Sequence, residues 1–155
     1  MATSISVNLS ILSLLLTAIG ADHGTIDLTG AVQLGRFVRP PMVPFVGLDP
    51  LSIATDEAGP SLGLFERRAE LFVEGWTAST VDNQVGVYAV TDAMVHAILR
   101  AVEGAHRDAA GSLKAKGVRN LFFENIEFLN TETTTKNVGH FRATLVYTYA
   151  ADRGI

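Results

Sequence analysis

The sequence predicts an α+β fold, in which a mostly antiparallel sheet carries two main helices packed on one face. Residues 64–77 alternate apolar and polar side chains as a strand does, and residues 87–105 then repeat apolar side chains at helical spacing. Two further alternating segments, residues 118–129 and 140–149, indicate a long C-terminal β-hairpin. The order helix, strand, strand, helix, strand, strand is typical of helices laid on one side of a sheet.

The composition indicates a single domain, residues 1–155, with some apolar surface that needs a partner. The chain has 155 residues, of which 48% are hydrophobic and 18% charged, and its formal net charge is −4. This apolar content excludes a disordered chain. It is also high for a monomer of this size, so we expect another subunit to cover part of the surface. The net negative charge and the scattered basic residues argue against a general nucleic-acid binder. The chain has no cysteine, which excludes disulfides and thiolate metal sites.

The first apolar segment, residues 9–19, is predicted to be a buried helix that Ser4 or Ser6 caps and Gly20 ends. Its main apolar stripe consists of Ile5, Leu9, Leu12, Leu16 and Ile19, and Leu14 and Leu15 widen it, so the helix is expected to be buried on more than one side. The segment is too short to cross a membrane, so no membrane partner is expected. A signal peptide is the alternative, but no Lys or Arg precedes the apolar segment.

Three connecting segments follow this helix. A short strand is expected near residues 26–28 or 31–34. The proline-rich residues 39–47 are predicted to form an extended edge strand, from which Val43 and Phe45 point into the core. Residues 49–63 are expected to form a long polar loop that is mobile or becomes ordered on a partner.

The strand over residues 64–77 has two unlike faces. One face, with Ala69, Leu71 and Val73, is predicted to face the core. The opposite side, which we call the mixed face, carries Arg68, Glu70, Phe72, Glu74 and Trp76. Since large aromatic residues are enriched at interface centres, the mixed face is the predicted subunit contact or channel wall. The alternative is that a helix covers it.

The second helix has an apolar stripe and a polar face. The stripe consists of Val87, Val90, Met94, Ile98, Ala101 and Ala105. Asp92, His96 and Arg100 lie four residues apart on the polar face. Thr80 or Asp82 can cap this helix, and Gly86 is expected to delay its regular part until Val90 or Thr91.

The predicted hairpin joins two strands through a threonine-rich turn, residues 130–139. In the first strand, Phe122, Ile126 and Phe128 are assigned to one face, and the other face is also apolar. That pattern indicates a central strand or one under an interface. The last strand places five residues on its core face: Phe141, Ala143, Leu145, Tyr147 and Tyr149.

No motif in the chain names a reaction, and no catalytic residue, cofactor or metal site is predicted. The four histidines lack the spacing of a helix-borne metal pair. Glu66, Glu70 and Glu74 could supply acid–base carboxylates, but they share a strand face with Arg68. A solvated or ion-paired sheet face explains them better.

Four segments in this order resemble the tail terminator (tail completion) proteins of long-tailed bacteriophages. After an apolar helix come Pro-Pro-Met-Val-Pro-Phe-Val at residues 40–46 and Arg-Arg-Ala-Glu-Leu-Phe-Val-Glu-Gly-Trp at residues 67–76. The helix over residues 91–102 and the closing Phe-Arg-Ala-Thr-Leu-Val-Tyr-Thr-Tyr at residues 141–149 complete the pattern. The resemblance covers most of the chain in order and spacing, but residues 49–63 have no counterpart in it.

The resemblance implies a structural virion protein and not an enzyme. Such proteins form a hexameric ring that caps the tail tube, stops its polymerisation and joins the tail to the head connector. The implied partners are the tail-tube protein and the head–tail connector protein, in the neck of a virion assembled in the host cytoplasm. DNA is expected to pass through the channel without specific binding, which suits a net negative chain.

Two other functions remain open from the sequence. A head–tail connector or tail-tube subunit is the alternative within virion proteins. A small α+β enzyme or ligand-binding domain is the alternative of another class, and it predicts a pocket lined by Glu70, Glu74 or His140.

Overall fold

One five-stranded sheet with two helices on one face makes up the described part of the chain. The computed structural model describes residues 4–55, 64–79, 84–107, 113–129 and 138–152. Its elements are α1 (Ser4–Ile19), β1 (Val32–Leu34), β2 (Phe45–Thr55), β3 (Leu64–Ala78), α2 (Gln84–Arg107), a 3-10 turn (Lys114–Lys116), β4 (Val118–Phe128) and β5 (Val138–Asp152). The predicted α+β class is therefore confirmed.

The strands lie in the order β1-β2-β3-β5-β4, and every pairing except β1 with β2 is antiparallel. The central strands β3 and β5 pair along their whole length, from Leu64 opposite Asp152 to Ala78 opposite Val138. Strands β4 and β5 form the predicted C-terminal hairpin. Residues 130–137 of its turn lie outside the described residues.

The core lies between the helices and one face of the sheet, as the alternation in β3 and β5 predicts. Side chains on this face are almost completely buried, with exposed fractions of 0–2%: Ala69, Leu71, Val73, Phe141, Ala143, Leu145, Tyr147 and Tyr149. The start of α2 approaches the sheet very closely at Gly139, where an added Cβ would collide with Thr91 Oγ1. The hydroxyls of Thr77 and Thr91 also lie 3.1 Å apart and hydrogen-bond. A glycine at position 139 therefore sets the distance between α2 and β5.

Helix α1 buries Leu12, Leu15 and Ile19 as predicted, but its buried stripe is shifted away from Leu9. Its buried residues are Asn8, Ile11, Leu12, Leu15 and Ile19, whereas Leu9 is 57% exposed. The phase is set by contacts with α2 and the sheet, including a buried hydrogen bond from the Tyr147 hydroxyl to Asn8 Oδ1. The helix ends at Ile19, directly before Gly20 as predicted, and the Gly20 N–H makes its last i→i−4 hydrogen bond, to the Leu16 carbonyl. The side chains of the candidate caps Ser4 and Ser6 lie outside the described residues.

Helix α2 is regular from Gln84, earlier than predicted, although Gly86 lies in its first turns. The candidate caps Thr80 and Asp82 lie outside the described residues. By length and composition alone, Val85–Arg107 is apolar enough to cross a membrane. A core helix passes the same test, and here Met94 and Ile98 are buried at 0% and 2% exposure in the core shared with the sheet.

The polar face of α2 forms as predicted. His96 Nε2 lies 3.5 Å from Asp92 Oδ1, and Arg100 Nε donates to the His96 carbonyl at 3.4 Å. All three side chains are exposed, so these contacts contribute little to stability.

Strand β2 corrects three predictions. Residues 39–47 do not form an edge strand, because β2 begins only at Phe45 and lies between β1 and β3 at residues 46–48. Residues 49–55, predicted to be a loop, continue the strand and pair with β3, whereas residues 56–63 lie outside the described residues. Pro50 is tolerated because it sits at a bulge, in the part of β2 that β1 no longer pairs with. Phe45 is buried, but its register opposite Trp76 places it on the mixed face, and Val43 is 38% exposed.

Strand β4 is an outer strand, so the prediction of a central position is wrong. A bulge between Glu124 and Glu127, where Asn125 has φ 48°, also shifts the alternation. Phe122 stays on the mixed side, opposite Val146, whereas Phe128 pairs with Phe141 on the helix side.

Candidate functional site

The mixed face lies opposite the helices, and it brings together the five residues predicted for an interface. In order of position these are Arg68, Glu70, Phe72, Glu74 and Trp76. Both helices pack on the other face, so the alternative that a helix covers the mixed face is wrong for α1 and α2. The register adds residues of β2, β4 and β5 to this face.

Trp76 is the most buried of the five, at 5% exposure, because neighbouring aromatic rings cover it. The imidazole of His140 stacks on it, with ring centroids 4.7 Å apart and an interplanar angle of 11°. Phe45 lies on its other side at 6.0 Å, and Phe37 packs edge-on against Phe45 at 4.8 Å. Trp76 therefore anchors a small second core at one end of the mixed face and is not itself an open contact residue.

Phe37 was not foreseen from the sequence. Its ring sits directly over Gly47, where an added Cβ would lie 2.8 Å from a ring carbon. The absence of a side chain at position 47 thus lets residues 35–44, which we call the strap, lie across the edge of the mixed face. The strap connects β1 to β2.

Glu74 is the centre of a charged cluster beside these rings. Its Oε1 accepts hydrogen bonds from His140 Nε2 at 2.8 Å and from Arg142 Nη2 at 3.2 Å. The Glu74 side chain is only 13% exposed. Burial alone would raise the pKa of Glu74, but the bonds and charges of His140 and Arg142 outweigh it and hold that pKa below its usual value. Arg142 also lies over the ring of Phe72, 5.0 Å from its centroid.

The other end of the mixed face carries exposed ion pairs. Arg68 lies 3.5 Å from Glu70 and 3.7 Å from Glu124, and Arg119 lies 3.9 Å from Glu66. Such exposed pairs contribute little to stability.

The charges of the mixed face do not balance. Among the side chains that the structure describes, six carboxylates lie on it, those of Asp49, Glu66, Glu70, Glu74, Glu124 and Glu127. Three guanidinium groups lie on the same face, those of Arg68, Arg119 and Arg142. Six negative against three positive groups leave the described face net acidic by three charges.

Both outer edges of the sheet expose apolar side chains. On β4, Phe122 is 45% exposed, Ile126 38% and Phe128 39%. On the part of β2 that β1 does not cover, Leu51 and Ile53 are each 43% exposed. Long apolar edges of this kind favour pairing with another chain.

Neither of two depressions lined by described residues brings Glu70 together with Glu74 or His140. A depression of about 230 Å³ includes Glu70 with Asn8, Pro50 and Tyr147, but neither Glu74 nor His140 lines it. A larger one, about 420 Å³, is mainly apolar and lies between α2 and Pro44. Among the described residues, no group of three His, Asp or Glu side chains could hold a metal ion.

Comparisons with known proteins add a likeness of fold. No family model matches the chain, and no curated protein matches it. Among solved structures, it is similar to a chain from the virion of a native gene transfer agent (GTA) particle. The two share 16% sequence identity over 94% of this chain and 91% of that chain, with a TM-score of 0.46.

Proposed function

We propose that this chain is a structural protein of a phage-like virion that forms a ring and acts as a tail terminator. The observation that carries the proposal is a net acidic sheet face on which neither α1 nor α2 packs, between two unlike apolar edges. The resemblance in the order and spacing of the elements points to the same class of protein. The proposal assigns no catalytic role to the chain.

The unlike edges favour a ring over a symmetric dimer. The exposed apolar residues on β4 and on β2 lie at opposite edges of one sheet. When one edge contacts the other edge of the next copy, the contact is heterologous and repeats until it closes. A hexameric ring, as the resemblance implies, would leave no edge uncovered.

The acidic mixed face suits the wall of the central channel. Proteins hold DNA by neutralising phosphates with Lys and Arg. Even without Glu124 and Glu127 of β4, the other four carboxylates of the mixed face outnumber its three guanidinium groups, so it would repel the phosphate backbone. DNA would then slide through the ring without specific binding, between the tail-tube protein on one side and the head connector on the other.

Sedimentation and negative-stain microscopy of the purified chain test this function. A terminator stops at a closed ring of fixed mass, whereas a tail-tube subunit continues into open-ended tubes. Antibody labelling of virions should place the chain at the junction of head and tail. Open-ended tubes, or labelling along the whole tail, would instead support the tail-tube alternative.

The Glu74–His140 hydrogen bond favours a second candidate, an enzyme or ligand-binding domain. However, Glu74 Oε1 already accepts bonds from both His140 and Arg142, and the His140 ring stacks on Trp76. These groups are therefore engaged within the fold. A monomer whose melting temperature rises with a small ligand, and does not rise in Glu74→Gln, would favour this second candidate.

A further inference from the structure

The two outer edges of the sheet carry surfaces of opposite charge, each with exposed apolar side chains. At one edge the strap, residues 35–44, connects β1 to β2. The opposite edge is formed by the outer strand β4. Strands β3 and β5 separate them, which places the two surfaces at opposite ends of the strand order.

The strap is basic and apolar. Phe37 fixes it on Gly47, while Val38 is 90% exposed and Met42 is 49% exposed. Arg36 and Arg39 are exposed, and neither forms an ion pair with a described residue. No acidic residue occurs between Asp27 and Asp49, so nothing within this stretch of sequence offsets the two arginines.

The later part of strand β4, residues 122–127, is acidic and apolar, whereas the strap is basic and apolar. Glu124 and Glu127 occur among the exposed Phe122 and Ile126. Glu127 is exposed, and the Glu124 side chain is 42% exposed with only a 3.7 Å contact to Arg68. Both carboxylates are thus available to a partner that brings positive charge and apolar side chains together.

We propose that the strap of one copy docks on β4 of the next copy, with Arg36 and Arg39 facing Glu124 and Glu127. The contact rests on the proposed ring and says which surfaces form it. Opposite charges on two different surfaces of one chain favour head-to-tail association and disfavour contact between like surfaces. The exposed Val38 and Met42 would be covered by Phe122 and Ile126 in the same contact.

Paired charge reversal tests this contact. The variant Arg36→Glu/Arg39→Glu should associate at least about 100-fold more weakly than the wild type, because like charges then face each other. The variant Glu124→Lys/Glu127→Lys should be weakened similarly. A 1:1 mixture of the two variants should assemble again, because each strap then meets a β4 of opposite charge in an alternating ring. Sedimentation velocity gives the mass of every species.

Matched controls separate this contact from a general effect of charge. Lys114→Glu/Lys116→Glu makes the same change of net charge on exposed residues of the 3-10 turn and should leave assembly unchanged. If the wild type forms rings that both reversals leave intact, or if the mixture stays dissociated, the contact is wrong but the ring stands. If the wild type is monomeric at every concentration, the ring proposal fails together with the contact.

Cysteine crosslinking provides a readout that does not depend on charge. The chain has no cysteine, so introduced thiols are its only ones. Oxidised rings of Val38→Cys/Phe122→Cys or Met42→Cys/Ile126→Cys should give a ladder of covalent oligomers on a denaturing gel. Each single-cysteine variant should stay monomeric on the gel, because its thiol faces no other thiol in a head-to-tail contact. Rings in which neither pair gives a ladder would overturn the contact.

Discussion

Glu74 on β3 and His140 on β5 are joined by a hydrogen bond of 2.8 Å that runs diagonally between the two central strands. The residue directly opposite Glu74 is Arg142, and the one directly opposite His140 is Trp76. One carboxylate therefore binds both polar neighbours while the imidazole remains flat on the indole. This arrangement stabilises the mixed face where it meets the strap.

Glu74→Gln should lower the free energy of unfolding by about 1–2 kcal/mol, because two charge-assisted hydrogen bonds become weaker. Urea denaturation measures the change. Glu70→Gln is the matched control on the same strand face, since the Glu70 side chain is 36% exposed and its contact with Arg68 is 3.5 Å. The control should change stability by less than about 0.5 kcal/mol. Equal effects of the two changes would contradict the central role of Glu74.

The contribution of Glu74 should depend on pH in a defined window. Its pKa in the folded chain lies below the ordinary value of 4.5, so ionised Glu74 stabilises the fold above that pH. The contribution should be lost as the pH falls from about 4.5 through the lower folded pKa. The difference in unfolding free energy between wild type and Glu74→Gln should shrink over that range. A difference that stays constant down to about pH 3 would contradict this assignment.

Tyr147→Phe should cost about 1–2 kcal/mol, because it leaves Asn8 buried without its hydrogen-bond donor. The double variant Asn8→Leu/Tyr147→Phe should recover much of this loss, since both polar groups are then replaced by apolar ones. Unfolding free energies of the two single variants and the double variant form a thermodynamic cycle. Additive losses would show that α1 and β5 are not coupled through this bond.

Gly139→Ala should destabilise the fold by about 2–3 kcal/mol, because the new methyl group would collide with Thr91 and Thr77. Gly104→Ala is the matched control in α2, where nothing lies within 4 Å of the added carbon. It should be neutral or stabilise the chain by up to about 1 kcal/mol, because alanine favours helix. Thermal melts compare the two, and a harmless Gly139→Ala would contradict the close approach of α2 to β5.

The parts of the fold that the sequence predicts well are those where one periodicity dominates. Strands β3 and β5 alternate over their length and have a mostly apolar core face, so Leu71 and Leu145 could be assigned correctly. In α1 ten of the sixteen residues are apolar, and they occur on more than one side of the helix, so the sequence leaves the phase of the helix open. Contacts with Tyr147 and α2 decide it, and Leu9 turns outward.

Features that depend on distant residues could not be predicted. Residues 49–55 look like a loop because of Pro50 and their small side chains, but pairing with β3 extends them. The five mixed-face residues follow from alternation alone. By contrast, the Glu74–His140 bond and the cover over Trp76 require the register of β3 with β5 and the position of Phe37. No local pattern encodes either.

Three-dimensional microscopy of the purified chain's assembly tests the central claim most directly, since it shows both the mass of the assembly and the face that lines its channel. The proposal predicts a closed ring with a single number of subunits, in which Arg68, Glu70 and Phe72 face an acidic channel. A monomer at all concentrations, or a ring whose channel is strongly basic, would contradict it.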